Sequence, residues 1–205
     1  MSPWIYLAIT LVAGALPPRI FWGRGMLFMD GAQMRARYSM LNPGDNRRRR
    51  RWWKSPAVWL DPARGWLAGW ALCRAFIKGW ESLAQLPCML LEYGGYVSLL
   101  ALVFWQTCGR ERDKETLTPL LFVGGVLSGF YGWLSGLSTV ALALLTLIST
   151  QSIAAALFAM AGTMAALGWF LMGLCPAWLV SIALCLVPWS KSFLLRHKLV
   201  VAMRG

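Results

Sequence analysis

Between Pro119 and Trp189 the chain has no Asp, Glu, Lys or Arg. A bilayer-spanning helix needs roughly twenty such residues, and this run holds about seventy. Charge is scarce elsewhere too: 14% of the 205 residues are charged, where an ordinary soluble domain carries about 25%. A soluble fold of this size needs a polar skin, and this composition excludes one. Acidic residues are the scarcest, eight against twenty Lys and Arg. Histidine occurs once, as His197, and the five cysteines (Cys73, Cys88, Cys108, Cys175, Cys185) form no C-x-x-C pair. Zinc needs clustered Cys and His ligands, so we expect no metal and no cofactor. No G-x-S-x-G elbow, Walker loop or H-E-x-x-H occurs, and we expect no catalytic residue. Asp30-Gly31-Ala32-Gln33-Met34-Arg35 is similar to a fragment of the CDP-alcohol phosphatidyltransferase signature. Leu27 and Arg48 stand where that signature has aspartates, so the carboxylates that would hold its metal are missing.

What remains is apolar, 58% of the chain, and unevenly basic. Arg19, Arg24, Arg35, Arg37, the run Arg47, Arg48, Arg49, Arg50, Arg51, then Lys54, Arg64, Arg74 and Lys78 crowd one segment. Lys191, Arg196, Lys198 and Arg204 crowd the tail. The connector from Gly109 to Thr116 balances three cations with three acids. Positive charge flanking spans marks the cytoplasmic side. This places the basic segment and the C-terminus inside and the connector, with Cys108, outside.

The expected fold class is all-α: a polytopic helical membrane protein of about five spans plus an in-plane amphipathic helix. Residues 1–18 form an N-terminal anchor, apolar from Trp4 to Leu16. No Lys or Arg precedes it as a signal peptide requires, and cleavage would send the arginines outside. An uncleaved anchor with its N-terminus outside is therefore expected, a cleaved signal or an interfacial segment being the other arrangements. Residues 19–86 form a cytoplasmic membrane-surface segment. There Trp52 and Trp53 adjoin the arginine run, and each Arg or Lys near an anionic leaflet contributes about 1 kcal/mol. Nucleic acid also attracts arginine runs, but the run's place between membrane-associated segments favours lipid.

Asp61-Pro62 reads as a helix start, with Pro87 as its interruption. Over 62–86, Trp66, Trp70, Cys73, Ile77 and Trp80 share one face; Arg74, Lys78, Glu81 and Gln85 share another. Spanning would bury Arg74 and Lys78 at about 2.5–3.5 kcal/mol each. Lying in the interface buries the tryptophans and keeps the charges wet, so an in-plane helix is expected. Residues 87–190 form a four-span bundle and 191–205 a basic tail. Cys88 to Thr107 is the clearest span, and its Glu92 is a candidate intramembrane polar site, or a snorkelling carboxylate paired with Lys78 or Arg74. Parity then divides 117–189 into three spans. The breaks fall either near Ser135-Gly136 and Ala161-Gly162, or at Ser149–Ser152 and Cys175-Pro176.

The most ordered motif is small. Gly125-Val126-Leu127-Ser128-Gly129 is echoed by Gly132-Trp133-Leu134-Ser135-Gly136, and Gly124, Ser128, Gly132 and Gly136 repeat every four residues. Small residues at that spacing let another helix approach the backbone. We expect a helix-packing face, serving contacts within the protein or against a partner protein or a second copy. The functional expectation is a non-enzymatic membrane accessory or assembly subunit that contacts other helices and anionic lipid, in a bacterial cytoplasmic membrane. A small transporter or channel component comes second, supported by Glu92, Ser149–Ser152 and Pro176. A membrane-embedded lipid-modifying enzyme comes third.

Overall fold

The computed structural model describes residues 3–15, 26–39, 56–78, 85–107, 114–171, 173 and 175–204. The arginine run Arg47–Arg51, Trp52, Trp53, Lys54, Trp80, Glu81 and Cys108 lie outside the described residues. Eight α-helices are present among those described: α1 Pro3–Ala15, α2 Gly31–Ser39, α3 Pro56–Leu72, α4 Gln85–Gln106, α5 Leu120–Tyr131, α6 Trp133–Thr150, α7 Ile153–Leu171 and α8 Pro176–Leu195. Beyond Leu72 the chain continues as a π-helical turn, Cys73–Lys78. Three strands join them: β1 Met26–Met29, β2 Glu115–Leu117 and β3 Lys198–Arg204. The protein is a polytopic helical membrane protein. Helices α4, α6, α7 and α8 are long and apolar enough to cross a bilayer, and α1 and α5 are shorter apolar helices.

α5 explains the architecture. Its twelve residues rise about 18 Å, short of a hydrocarbon core of about 30 Å. Seven of the twelve are buried, whereas the long helices bury 22–39% of their spanning windows. It sits in protein rather than lipid, and protein tolerates a short or irregular segment at membrane depth. The chain reaches α5 in extended form through the buried residues Thr116, Leu117 and Thr118, and the Thr118 amide donates to the Val200 carbonyl at 2.9 Å. α5 ends at Gly132, whose φ of 107° suits glycine and turns the chain sharply into α6.

The direction of each helix follows from which residues meet. A Cβ on Gly124 would strike Val140, and one on Gly136 would strike Ser128, so α5 and α6 fold back antiparallel about Gly132. Gly65 and Gly69 of α3 face the Phe122 and Val126 carbonyls, while Gly125 and Gly129 face those of Pro62 and Trp66. Both series rise together, so α3 runs parallel to α5. The core between them holds Leu72, Phe122, Val123, Val126 and Leu127, continued by Leu99 and Val103 of α4 and by Leu157, Met160 and Met164 of α7.

Three expectations change here. The apolar run folds as four helices instead of three spans. Two breaks fall at Gln151-Ser152 and just before Pro176, as in one of the two divisions, and the third is Gly132. Ser135-Gly136 and Ala161-Gly162 lie inside helices. α3 starts at Pro56 rather than Asp61, and Pro87 stands in the first turn of α4, where a missing N–H costs no helical bond.

The third correction concerns sidedness. β3 lies between β1 and β2, antiparallel to the first (Met26↔Arg204) and parallel to the second (Glu115↔Lys198). The connector's last residues therefore share one sheet with the basic segment and the tail. They stand at the same end of the bundle, not at opposite ends. Length alone misses two crossings: the buried half-length α5, and α3, which runs parallel to it against the core where an in-plane helix was expected.

Candidate functional site

The interior small-residue face is built by two crossings. Gly124, Ser128 and Gly136 line the α5–α6 side, where the Ser128 hydroxyl turns back to the Gly124 carbonyl at 2.9 Å. Gly125 and Gly129 line the α5–α3 side. Ser135 is buried and donates to the Gly132 carbonyl at 2.8 Å. Gly132 itself meets nothing: a Cβ there would have open space. Apart from Gly132, these glycines serve contacts within the chain, the intramolecular one of the arrangements expected of the face. Its counterpart on α3, Gly65-x-x-x-Gly69, was legible as a small-residue repeat but escaped notice among the tryptophans.

On the other side of α3, Trp66 is exposed and stacks on Trp70 at 6.2 Å between centroids, and Tyr6 of α1 meets Trp70 edge-on at 5.6 Å. The Arg74 guanidinium lies 5.8 Å over the Trp70 ring. The two residues are four apart and therefore neighbours on the helix surface. Lys78 closes the π turn.

Where α1 ends, three side chains take its last carbonyls. Arg64 Nε donates to Ala13 at 3.2 Å, Gln106 Nε2 to Gly14, and Trp105 Nε1 to Ala15 at 3.3 Å. Helix C-termini leave such carbonyls without intrahelical donors and carry partial negative charge. The Arg64 guanidinium also holds the Asp61 carboxylate at 3.1 Å, both side chains nearly buried. Asp61 was expected to cap a helix. Because α3 starts five residues earlier, it serves as the buried counter-ion instead.

Glu92 lies half-buried on α4 and accepts from the Tyr96 hydroxyl one turn on. Its partner is that tyrosine, whereas Arg74 faces Trp70. The Tyr96 ring packs against Phe130 at 6.1 Å, and the Tyr131 hydroxyl donates to the Ala177 carbonyl at 2.8 Å. The polar residues of the α6–α7 turn are used in capping: Gln151 adopts a left-handed conformation that closes α6, and the Ala155 amide donates to Ser152 Oγ at 3.3 Å. Pro176 opens α8 in its first turn. Cys175 and Cys185 are free thiols. Among the described residues no three His, Cys, Asp or Glu side chains are grouped to hold a metal.

The sheet-bearing end carries a cleft of about 280 Å³ lined by Asp30, Gln33, Lys114, Glu115, Arg196, Lys198 and Val200. Three separate stretches of chain bring these groups together. Asp30 and Gln33 cap α2 reciprocally: the Gln33 amide donates to Asp30 Oδ1 at 2.7 Å and the Asp30 amide to Gln33 Oε1 at 3.3 Å. Lys114 and Arg196 have φ near 50°, a left-handed conformation that costs a non-glycine residue about 1–3 kcal/mol. The pairing of β2 with β3 sets them there, with the Lys198 amide donating to the Lys114 carbonyl at 2.9 Å. The sequence showed these residues as a balanced connector and a basic tail; it did not show that they meet.

No family model matches the chain, and neither a curated protein nor a solved structure matches it.

Proposed function

We propose that the chain is a non-enzymatic membrane accessory or assembly protein that acts by contact, holding anionic headgroups at its sheet-bearing end and other membrane proteins at its bundle. One observation carries this reading. A single sheet gathers β1, the end of the connector and the C-terminal strand, so that Lys114, Arg196 and Lys198 converge at one end of an apolar bundle. Cations gathered at headgroup level attract an anionic leaflet. With the glycines used inside the chain, partner contacts fall to the outer bundle faces. By the bias of Lys and Arg toward the cytoplasm, this end lies inside a bacterial cytoplasmic membrane. The C-terminus and the connector go with it, and the N-terminus of α1 lies outside.

Gentle detergent extraction followed by native mass measurement tests the proposal. We expect a mass exceeding one chain, with retained anionic phospholipid that is lost in high salt. A bare chain whose lipid content ignores salt would refute it. For sidedness, Lys114→Cys and Arg196→Cys should both resist an impermeant thiol reagent in spheroplasts; labelling of either from outside overturns the orientation.

A second reading, a small transporter or channel component, has one specific observation behind it. Glu92 and Tyr96 place an ionisable pair within a span, where such groups mark ion or proton paths. Flux in proteoliposomes that Glu92→Gln abolishes would move this reading ahead.

A further inference from the structure

We infer that the cleft at the sheet-bearing end is a binding site for a phospholipid headgroup carrying both a phosphodiester and a primary ammonium, as in phosphatidylethanolamine. This deepens the proposed function, since it rests on that end lying at headgroup level. The first argument is charge. The cleft is lined, among the described residues, by three cations, Lys114, Arg196 and Lys198, and two carboxylates, Asp30 and Glu115. Among the described residues none of the five makes an ion pair within 4.0 Å. Opposite charges brought to one concavity yet kept apart leave room for a ligand that bridges them. A simple anion would engage the cations and leave the carboxylates unanswered. A zwitterion answers both.

The second argument is hydrogen-bonding chemistry. Carboxylates accept from an ammonium that has protons to donate, and Arg and Lys donate to phosphate oxygens. A quaternary ammonium has no such protons and is recognised instead by aromatic faces. Among the described residues the cleft lining has no aromatic side chain and only Val200 as an apolar one. Its chemistry selects ethanolamine over choline. The volume, about 280 Å³, is just below the ~300–1,000 Å³ of pockets for drug-sized ligands and suits a small polar head.

The third argument separates a lipid from a soluble phosphoester. Phe193, Leu194 and Leu195 immediately precede Arg196 and are 71%, 78% and 51% exposed. Phe193 stacks on Trp189 at 5.6 Å, and Lys191 Nζ sits 4.4 Å over the Phe104 ring. Exposed apolar surface therefore runs up to the charged mouth. This is the profile of a boundary between acyl chains and headgroups, where amphipathic aromatics and snorkelling lysines collect.

The test uses the full chain, delipidated in detergent and mixed with phosphatidylethanolamine, phosphatidylcholine or phosphatidylglycerol of identical acyl chains, with bound lipid read by native mass. The wild type should retain ethanolamine lipid over choline lipid by about fivefold, the scale of one surface charge contact. Arg196→Gln with Lys198→Gln should reduce retention of both the ethanolamine and the glycerol lipid. Asp30→Asn with Glu115→Gln should reduce ethanolamine retention only, leaving glycerol retention equal or higher. Asn still caps a helix, so α2 survives that change, and continued glycerol retention certifies the fold. Equal retention of choline and ethanolamine lipids overturns the site, as does indifference of ethanolamine retention to the carboxylate pair. Displacement by a tenfold excess of soluble phosphoethanolamine would overturn the lipid assignment. Unselective ethanolamine retention beside salt-sensitive glycerol retention sinks the cleft alone. Ethanolamine selectivity without any glycerol retention sinks the anionic-lipid half of the proposed function and leaves the cleft standing.

Discussion

α5 and α7 are built from similar residues, apolar throughout and each with glycines, but they face different solvents. α5 is surrounded by protein: each of Gly124, Gly125 and Gly129 lies where a Cβ would strike another helix. α7 is buried on one side only: Leu157, Met160 and Met164 enter the core and Gly168 abuts Trp178, whereas Phe158, Trp169 and Phe170 are exposed and Gly162 faces open space. Hydropathy registers both as membrane segments. What distinguishes them is the volume of the side chains on the contact face. Lipid is as apolar as leucine, so association within a bilayer rests on close packing and polar contacts, not on burial of apolar area. Interior and rim should therefore respond oppositely to the same kind of substitution.

The largest effect is expected where the interior is polar. Asp61→Ala leaves the Arg64 guanidinium nearly buried beside the end of α1 without its counter-ion. Breaking a buried pair from one side costs about 3–5 kcal/mol. Unfolding of the purified protein in mixed micelles should show that loss, and a change below about 1 kcal/mol would mean that water reaches the pair. Gly125→Ala comes next. One methyl group would meet the Pro62 carbonyl and the Trp66 amide, 2.9 Å away, across the tightest crossing. Neither is the movable end of a side chain, so the helices must separate, at the upper end of the ~1–3 kcal/mol of overpacking. Stability unchanged in the same assay would show that α3 and α5 do not touch as described.

Much of this division was legible, and the reasons differ by residue. The four-residue spacing of Gly124, Ser128 and Gly136 is local and survives in the sequence whatever it packs against. Its partner does not: that Gly125 faces Pro62 and Gly136 faces Ser128 depends on chain path. Apolar length identified α4 and marked 117–189 as spanning, because lipid imposes a minimum length, but it did not choose the breaks that separate α6, α7 and α8. Nothing imposes a minimum on α5, which protein surrounds, so parity failed there, and sidedness failed with it and with the in-plane reading of α3. The sheet was not legible. β1, β2 and β3 come from residues 26–29, 115–117 and 198–204, and pairing at such separation leaves no local period to read. The cleft, which depends on that pairing, was hidden with it.

Gly132 lies between the two regimes. A side chain there has open space, but φ is 107°. Packing predicts no penalty and the backbone predicts one. Gly132→Ala should cost about 1–2 kcal/mol, within the range for a non-glycine residue in a strained region. Gly132→Leu should cost no more than Gly132→Ala, because the added atoms meet nothing. A much larger loss for leucine would show that a partner or another part of the chain covers the turn.

The smallest expected effect has the opposite sign. Gly162 lies inside α7, where a Cβ has no neighbour within 4 Å. Alanine there meets no obstacle and removes the conformational freedom that makes glycine the poorer helix former, by up to about 1 kcal/mol. Gly162→Ala should therefore raise stability slightly in the assay in which Gly125→Ala lowers it. The two substitutions add the same methyl group to helices of the same apolar class, so propensity cancels and only the surroundings differ. If both lower stability alike, α7 packs against something as closely as α5 does. Its outer face would then be a protein interface, and mass measurement of the Gly162→Ala variant should show the partner lost.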